Sequence, residues 1–212
     1  MHYVTISMRG SAADINCLHA LIVSAVHVNN TTHGASPIAI AFPEYREGVQ
    51  TSAKPNSYGE EQRAVRLRNG FLGRSMRLFG VAEQLTIVLA QLPCLADSPD
   101  MAVGKVEPVP STAQYCAFMR HKGMAKMTPS RLRRTISRQN SKLSDAELEQ
   151  CFAEQQRRAM ATTLPNVGIK SLTTGSQFSI FVERRTDVTA SAFAPDSYGL
   201  SRPSQVCALP VF

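Results

Sequence analysis

The sequence lacks the signatures that would place it quickly. It has no phosphate-binding G-x-x-x-x-G-K-[ST] loop, no G-x-S-x-G and no H-E-x-x-H. Those absences argue against P-loop nucleotide hydrolysis, serine hydrolysis and zinc proteolysis. Its 5 cysteines (Cys17, Cys94, Cys116, Cys151 and Cys207) are odd in number, widely scattered and free of any C-x-x-C, so neither a disulfide framework nor a zinc site is supported. No apolar run approaches the ~18 residues of a membrane span, and the opening MHYVTISM reads as a strand rather than a signal peptide. The expectation is a reduced, cytoplasmic protein with no membrane, metal or cofactor role. Internal repeats and low-complexity segments are absent too. At 212 residues and 43% hydrophobic content the chain is long enough for one large domain or two small ones.

One further absence is local. No acidic residue occurs between Glu107 and Asp145. Within that gap lie Arg120, Lys122, Lys126, Arg131, Arg133, Arg134, Arg138 and Lys142, much of the excess behind the net charge of +7. Thr128-Pro129 reads as a helix start, with Thr128 as N-cap and Pro129 where its missing N–H costs nothing. At about 100° per residue, Arg131, Arg134 and Arg138 share one face of that helix, while Leu132 and Ile136 form an apolar stripe able to dock on the body. A solvated helix normally mixes charge signs. This one keeps Arg134 and Arg138 at repelling i,i+4 spacing, and arginine's planar fork suits bidentate phosphate contact. The stretch therefore points to a nucleic acid.

The periodicities predict α+β architecture. Tyr3–Met8 alternates as a strand, and Ser11 caps a helix with Ile15, Leu18, Ile22, Ala25 and Val26 on its apolar face. The polar NNTTHG reads as a break, followed by strand Ile38–Phe42, a long polar excursion over Glu44–Gly70, strand Leu72–Phe79, helix Val81–Gln91 and strand Val103–Val109. That order, βαββαβ, is the split βαβ or ferredoxin-like arrangement, expected over residues 1–110. The RNA-binding aromatic motif of modules sharing that topology is missing. A smaller α+β domain, 111–212, should then carry strand Tyr115–Arg120, the arginine-rich helix and a helix opened by the Ser144-Asp145-Ala146-Glu147 capping box. That helix turns Leu148, Cys151, Phe152 and Ala159 inward, and strands follow at Val167–Leu172, Phe178–Val182 and Val188–Ala192. The C-terminal residues should form a buried edge.

The histidines are the remaining chemical groups. His19 lies on the apolar face with Ile15, Ile22 and Val26 and reads as a packed core residue. His27 is rotated off that face near the expected helix end, where exposure and the helix dipole suit an acid–base group, although a plain surface histidine fits the pattern equally. His33 reads as a solvent-facing loop residue.

Taken in order, a histidine ending the first helix, IAFP, the RLRR helix, KSLTTGSQFSIFV and SYGLS match a known family. The chain resembles the CRISPR repeat-processing endoribonucleases of the type I-F kind. The resemblance implies an enzyme that cuts precursor CRISPR RNA at the 3′ base of each repeat stem-loop without a metal and stays bound to the product. It implies that His27, whose spacing to Pro43 matches, is the general base. Ser171 would position the attacking ribose, Tyr198 would lie beside the histidine, and Phe178 would stack on the terminal base pair. Arg120 and Lys122 would read bases at the foot of the stem. From their shared helix face, Arg131, Arg134 and Arg138 are expected to contact its phosphates, and Arg133 is counted with them as RNA-binding. Other subunits of a type I-F surveillance complex are implied as partners.

Two departures stand out. Lysine replaces the family's glutamine at Lys122, and Thr135 and Gln139 stand where the best-known helix has arginine. Two extra residues separate Arg120 from Arg131. The chemistry implied is self-consistent: a base takes the ribose 2′-OH proton, and that oxygen attacks the adjacent phosphorus, so RNA is cut and DNA is not. Ser171 and Tyr198 also admit a plainer reading as strand and turn hydrogen-bonding groups, and Phe178 as core. Two other functions fit the basic stretch: a non-catalytic subunit holding a processed guide hairpin, and a DNA-binding protein using 128–140 as a recognition helix. A strand rather than a helix precedes that segment, which disfavours the second.

Overall fold

The computed structural model describes residues 1–48, 50–51, 66–67, 70–92, 99–111, 114–121, 134, 136, 138, 144–160, 163–171 and 174–212. Strand β1 (His2–Met8) lies inside the first sheet, pairing antiparallel with β5 (Ser75–Gly80) on one side and with β6 (Met101–Val103) and β7 (Glu107–Pro108) on the other. Strand β2 (Ala39–Ala41) completes the order β2-β5-β1-β6. Val4, Ile6, Met8, Met76 and Leu78 are buried, as the alternation predicts.

Helix α1 (Ala12–Thr32) starts at Ser11, whose hydroxyl accepts from the Asp14 N–H while the Asp14 carboxylate accepts from the Ser11 N–H at 2.9 Å. This capping box satisfies two of the helix's orphan donors, and the Ser11 hydrogen bonds hold the Asp14 carboxyl below its ordinary range. The helix then runs through Asn29-Asn30-Thr31-Thr32 instead of breaking there. Thr31 and Thr32 donate their hydroxyls to the carbonyls of His27 (2.7 Å) and Val28 (2.9 Å), and both asparagines are buried. Four polar residues are thus absorbed by local back-bonding and burial.

Other boundaries shift for equally local reasons. The strand expected from Leu72 starts only at Ser75, because Gly73 sits at φ +107° and a Cβ there would lie 2.6 Å from Cβ of Glu44. The strand expected over Val103–Val109 is two pieces. From Ile6↔Val103 to Tyr3↔Glu107 is three steps on β1 but four on its partner, so an extra residue bulges at Gly104–Val106. Helix α2 (Ala82–Ala90) buries Leu85 and Val88. Within the 44–70 excursion, β3 (Gln50–Thr51) pairs β4 (Arg66–Leu67).

The second sheet has the order β11-β8-β10-β9, from β8 (Tyr115–Arg120), β9 (Asn166–Lys170), β10 (Gln177–Arg185) and β11 (Leu209–Pro210). The strand expected at Val188–Ala192 does not form. The outer edge of β8 is taken by β11, with Leu209 opposite Cys116. Ser191 instead ties the segment down, donating to the Val206 carbonyl (2.7 Å) and accepting from the Ala208 N–H (3.1 Å). Helix α3 (Asp145–Met160) is introduced by Ser144, whose N–H and hydroxyl both donate to Glu147.

One continuous core draws on both sheets. Phe42 and Tyr45 set their rings edge-on to Phe118 at 5.4 and 5.9 Å, and the Tyr45 hydroxyl donates to the Val182 carbonyl. A separate small cluster joins Ile136 and Phe152, flanked by Leu148 and Cys151. The fold is α+β with antiparallel sheets. Among the described residues, no helix is long and apolar enough to cross a membrane.

Candidate active site

Tyr198 is the hub of the site, and the loop carrying it is held by its own backbone chemistry. The Asp196 carboxylate accepts from the N–H groups of Tyr198 (2.8 Å) and Leu200 (3.0 Å), an Asx-type turn. Burial raises the Asp196 carboxyl, opposed by those two bonds and by the charges of Arg120 and Arg202. Gly199 follows at φ +76°, and its carbonyl accepts from the Ile40 N–H at 2.8 Å, which docks the loop on β2.

Against this loop lies the outer side of α1. The His27 imidazole stacks on the Tyr198 ring with centroids 4.2 Å apart and planes 6° from parallel. Its Nδ1 is 3.3 Å from the Ser197 carbonyl oxygen. A carbonyl can only accept, so Nδ1 carries the proton in this contact, and in the neutral ring the lone pair a general base requires is then on Nε2. His27 is half-buried and sits more than a turn inside α1, which corrects the expectation of an exposed residue at the helix end. The extra turn supplied by Asn29–Thr32 is the reason.

Two more expected residues converge on the same ring. Arg120, last residue of β8, places its guanidinium carbon 5.2 Å from the Tyr198 ring centroid, and its Nε is buried with no hydrogen-bond partner among the described residues. Phe178, near the start of β10, meets Tyr198 edge-on at 6.2 Å. Phe178 also lines an open groove of about 720 Å³ between α1 and the β9–β10 hairpin, shared with Ala20, Ser24, Lys170 and Gln177. So α1, β8, β10 and the 196–200 loop each deliver one side chain to a single cluster.

Ser171 follows β9 directly. Its hydroxyl accepts from the Thr174 N–H (3.3 Å), and its backbone is bonded across the hairpin to Ser176 and Gly175. The turn-hydrogen-bond reading of this serine therefore has a physical counterpart. Of the basic stretch, Arg134 and Arg138 are helical and exposed and Ile136 is buried. Lys122, Arg131 and Arg133, with the Thr128-Pro129 start, lie outside the described residues. Sequence reasoning missed Asn30 and Asp196, which fix the Tyr198 loop. Asp196 was findable, since aspartate two residues before a backbone N–H is a turn signal. Asn30 was hidden in a run that looked like a loop.

The chain belongs to the CRISPR-associated protein (Cas_Csy4) family, whose model matches residues 3–212. The family resemblance read from the sequence holds on that ground. Among individual proteins, the chain is similar to the CRISPR-associated endonuclease Cas6/Csy4 of Pseudomonas aeruginosa (strain UCBPP-PA14). The two are 28% identical over 187 residues, spanning 87% of this chain and 86% of the relative.

Proposed function

We propose that this protein is an endoribonuclease that binds the stem-loop of a CRISPR repeat, cuts the precursor RNA at the 3′ base of the stem and retains the processed guide. Family membership and the name of the Pseudomonas relative support the reaction class. The observation that carries the catalytic reading is the His27 ring, stacked on Tyr198 with Nδ1 turned to the Ser197 carbonyl. That arrangement favours the Nδ1–H tautomer, whose Nε2 would take the proton of a ribose 2′-OH. That oxygen would attack the adjacent phosphorus without a metal, breaking the bond to the 5′-oxygen of the next nucleotide, which leaves with a proton, and closing a 2′,3′-cyclic phosphate. Ser171 would orient the nucleotide, Phe178 would stack on the last base pair, and Arg120 and Lys122 would meet the foot of the stem.

In this reading the first 110 residues supply the histidine on a ferredoxin-like frame, since β2-β5-β1-β6 with two helices is the strand order of the split βαβ unit. Residues 111–212 supply the hairpin grip. Arg134 and Arg138 are exposed while Ile136 is buried beside Phe152, which suits a helix anchored on one side and offered to phosphates on the other. The protein would act in the cytoplasm beside other subunits of a type I-F surveillance complex.

The test is incubation of the purified protein with its own repeat RNA in EDTA. Cleavage at the 3′ base of the stem, leaving a cyclic phosphate or 3′-phosphate upstream, is the expected result. A strict magnesium requirement overturns the mechanism, and tight hairpin binding with no cleavage points to a non-catalytic RNA-holding subunit.

A further inference from the structure

Asn30 lies three residues beyond His27 on α1, close enough in rotation to share a side of the helix. It is 8% exposed, and its amide is saturated. Nδ2 donates to the Ile38 carbonyl (2.8 Å) and to the Asp196 carbonyl (3.3 Å). Oδ1 accepts from the Ile38 N–H (2.7 Å) and, at 3.4 Å, from the Asn29 side chain. Two donors and two acceptor positions are all that a carboxamide has.

These bonds join three segments distant in sequence. The pair to Ile38 mimics a strand partner and fastens the lead-in to β2. The bond to Asp196 fastens the loop whose carboxylate shapes the Tyr198 turn. The Gly199 carbonyl, bonded to Ile40, closes the circuit from β2 back to the same loop. Around that circuit, α1 presents His27, the loop presents Tyr198, and Asn30 is the buried polar side chain that bonds to both of the other segments.

We infer that Asn30 is a positioning residue for the reaction: its carboxamide sets the distance and parallel alignment of the His27–Tyr198 stack and the approach of His27 Nδ1 to the Ser197 carbonyl. The inference rests on the proposed role of His27 as general base. Asn30 itself touches no reacting atom and acts through the loop. Neither Asp nor Leu can replace it. Aspartate turns an acceptor oxygen toward two carbonyls, and leucine leaves the Ile38 N–H and carbonyl unpaired inside the protein.

The test compares wild type, Asn30→Asp, Asn30→Leu and Leu85→Ala, the last a buried change on α2 that lowers stability without removing any hydrogen bond of Asn30. Single-turnover cleavage of the repeat hairpin, hairpin affinity, thermal midpoint and the NMR signals of the His27 ring are measured on each. Either Asn30 variant should lose about tenfold to a hundredfold in single-turnover rate with hairpin affinity nearly unchanged. The upfield ring-current displacement of the His27 protons by Tyr198 should shrink in parallel. Leu85→Ala should lower the midpoint while leaving both the rate and the His27 signals as in wild type. An Asn30 variant that cleaves at the wild-type rate with unchanged His27 signals overturns the inference, as does a matching rate loss in Leu85→Ala.

Should neither Asn30 variant fold, the wild type still decides. Its Asn30 side-chain amide protons must exchange far more slowly than those of an exposed asparagine, and exposed-rate exchange rejects the assignment. If wild-type protein cuts no RNA, the proposed function fails. The His27 ring signals then test the positioning role by themselves.

Discussion

A Cβ on Gly199 would lie 2.7 Å from Cγ1 of Ile40 and 3.1 Å from Cγ1 of Val26. The loop carrying Tyr198 is therefore pressed onto β2 and α1 at a point where no side chain fits, in a backbone conformation (φ +76°) that L residues rarely adopt. Gly199→Ala must lift the loop or shift Ile40. The expected outcome is a loss of about 1–3 kcal/mol in stability, together with a fall in cleavage larger than the fall in hairpin binding. Denaturant unfolding and single-turnover kinetics measure the two effects. A variant that cleaves normally would show that the loop position is not critical.

His27→Ala should abolish cleavage while leaving hairpin affinity within a few-fold of wild type, because the ring is half-buried and outside the main core. Tyr198→Phe keeps the stacking surface and removes the hydroxyl. It should retain most of the rate, whereas Tyr198→Leu should lose it along with the alignment of His27. If Tyr198→Phe is as inactive as His27→Ala, the hydroxyl takes part in the chemistry and the packing account is wrong.

Arg134 and Arg138 are exposed on helical backbone. Replacing either with alanine should weaken binding to every stem sequence alike and reduce the salt dependence of affinity by about one charge. Titrations at several salt concentrations with two unrelated stems provide the measurement. A change in which stem is preferred would mean that the side chain reads bases.

His19 makes a stability prediction unrelated to catalysis. It is fully buried, meets Phe42 edge-on at 5.9 Å, and neither ring nitrogen has a hydrogen-bond partner among the described residues. Burial lowers its pKa from 6.5 to about 4. The unfolded chain therefore takes up a proton on this side chain at a pH where the folded protein refuses it. The stabilisation is fully present above pH 6.5 and disappears as the pH falls toward 4. Between pH 7 and pH 5 the loss should be about 2 kcal/mol. His19→Leu should flatten that slope and keep the neutral-pH structure. Unfolding curves at the two pH values decide, and an equal slope in the variant would remove His19 as the cause.

Local chemistry in the sequence determined a large part of this protein. Alternation and capping placed β1, α1, β5, α2, β8 and α3 to within a few residues, because each element's burial pattern and terminal bonds lie within a short window. His19 was legible as core for the same reason, and the family likeness brought out His27, Tyr198, Phe178 and Arg120. Only the tertiary structure decided how those four meet. The stack of His27 on Tyr198 joins residues 171 positions apart, and the contact of His27 Nδ1 with the adjoining Ser197 carbonyl spans 170. The identity of the Asn29–Thr32 run was also beyond local reading. Its polarity signals a turn, and it becomes helix because Asn30 finds buried partners on Ile38 and Asp196 while Asn29 donates to Asn30. The strand expected at Val188–Ala192 failed in the opposite sense. Its pattern was adequate, but Leu209–Pro210 occupies the edge of β8 and Ser191 is bonded to Val206 and Ala208 instead. Propensity acts within a window of residues, whereas hydrogen-bond satisfaction and edge occupancy are settled by whatever the rest of the chain brings alongside.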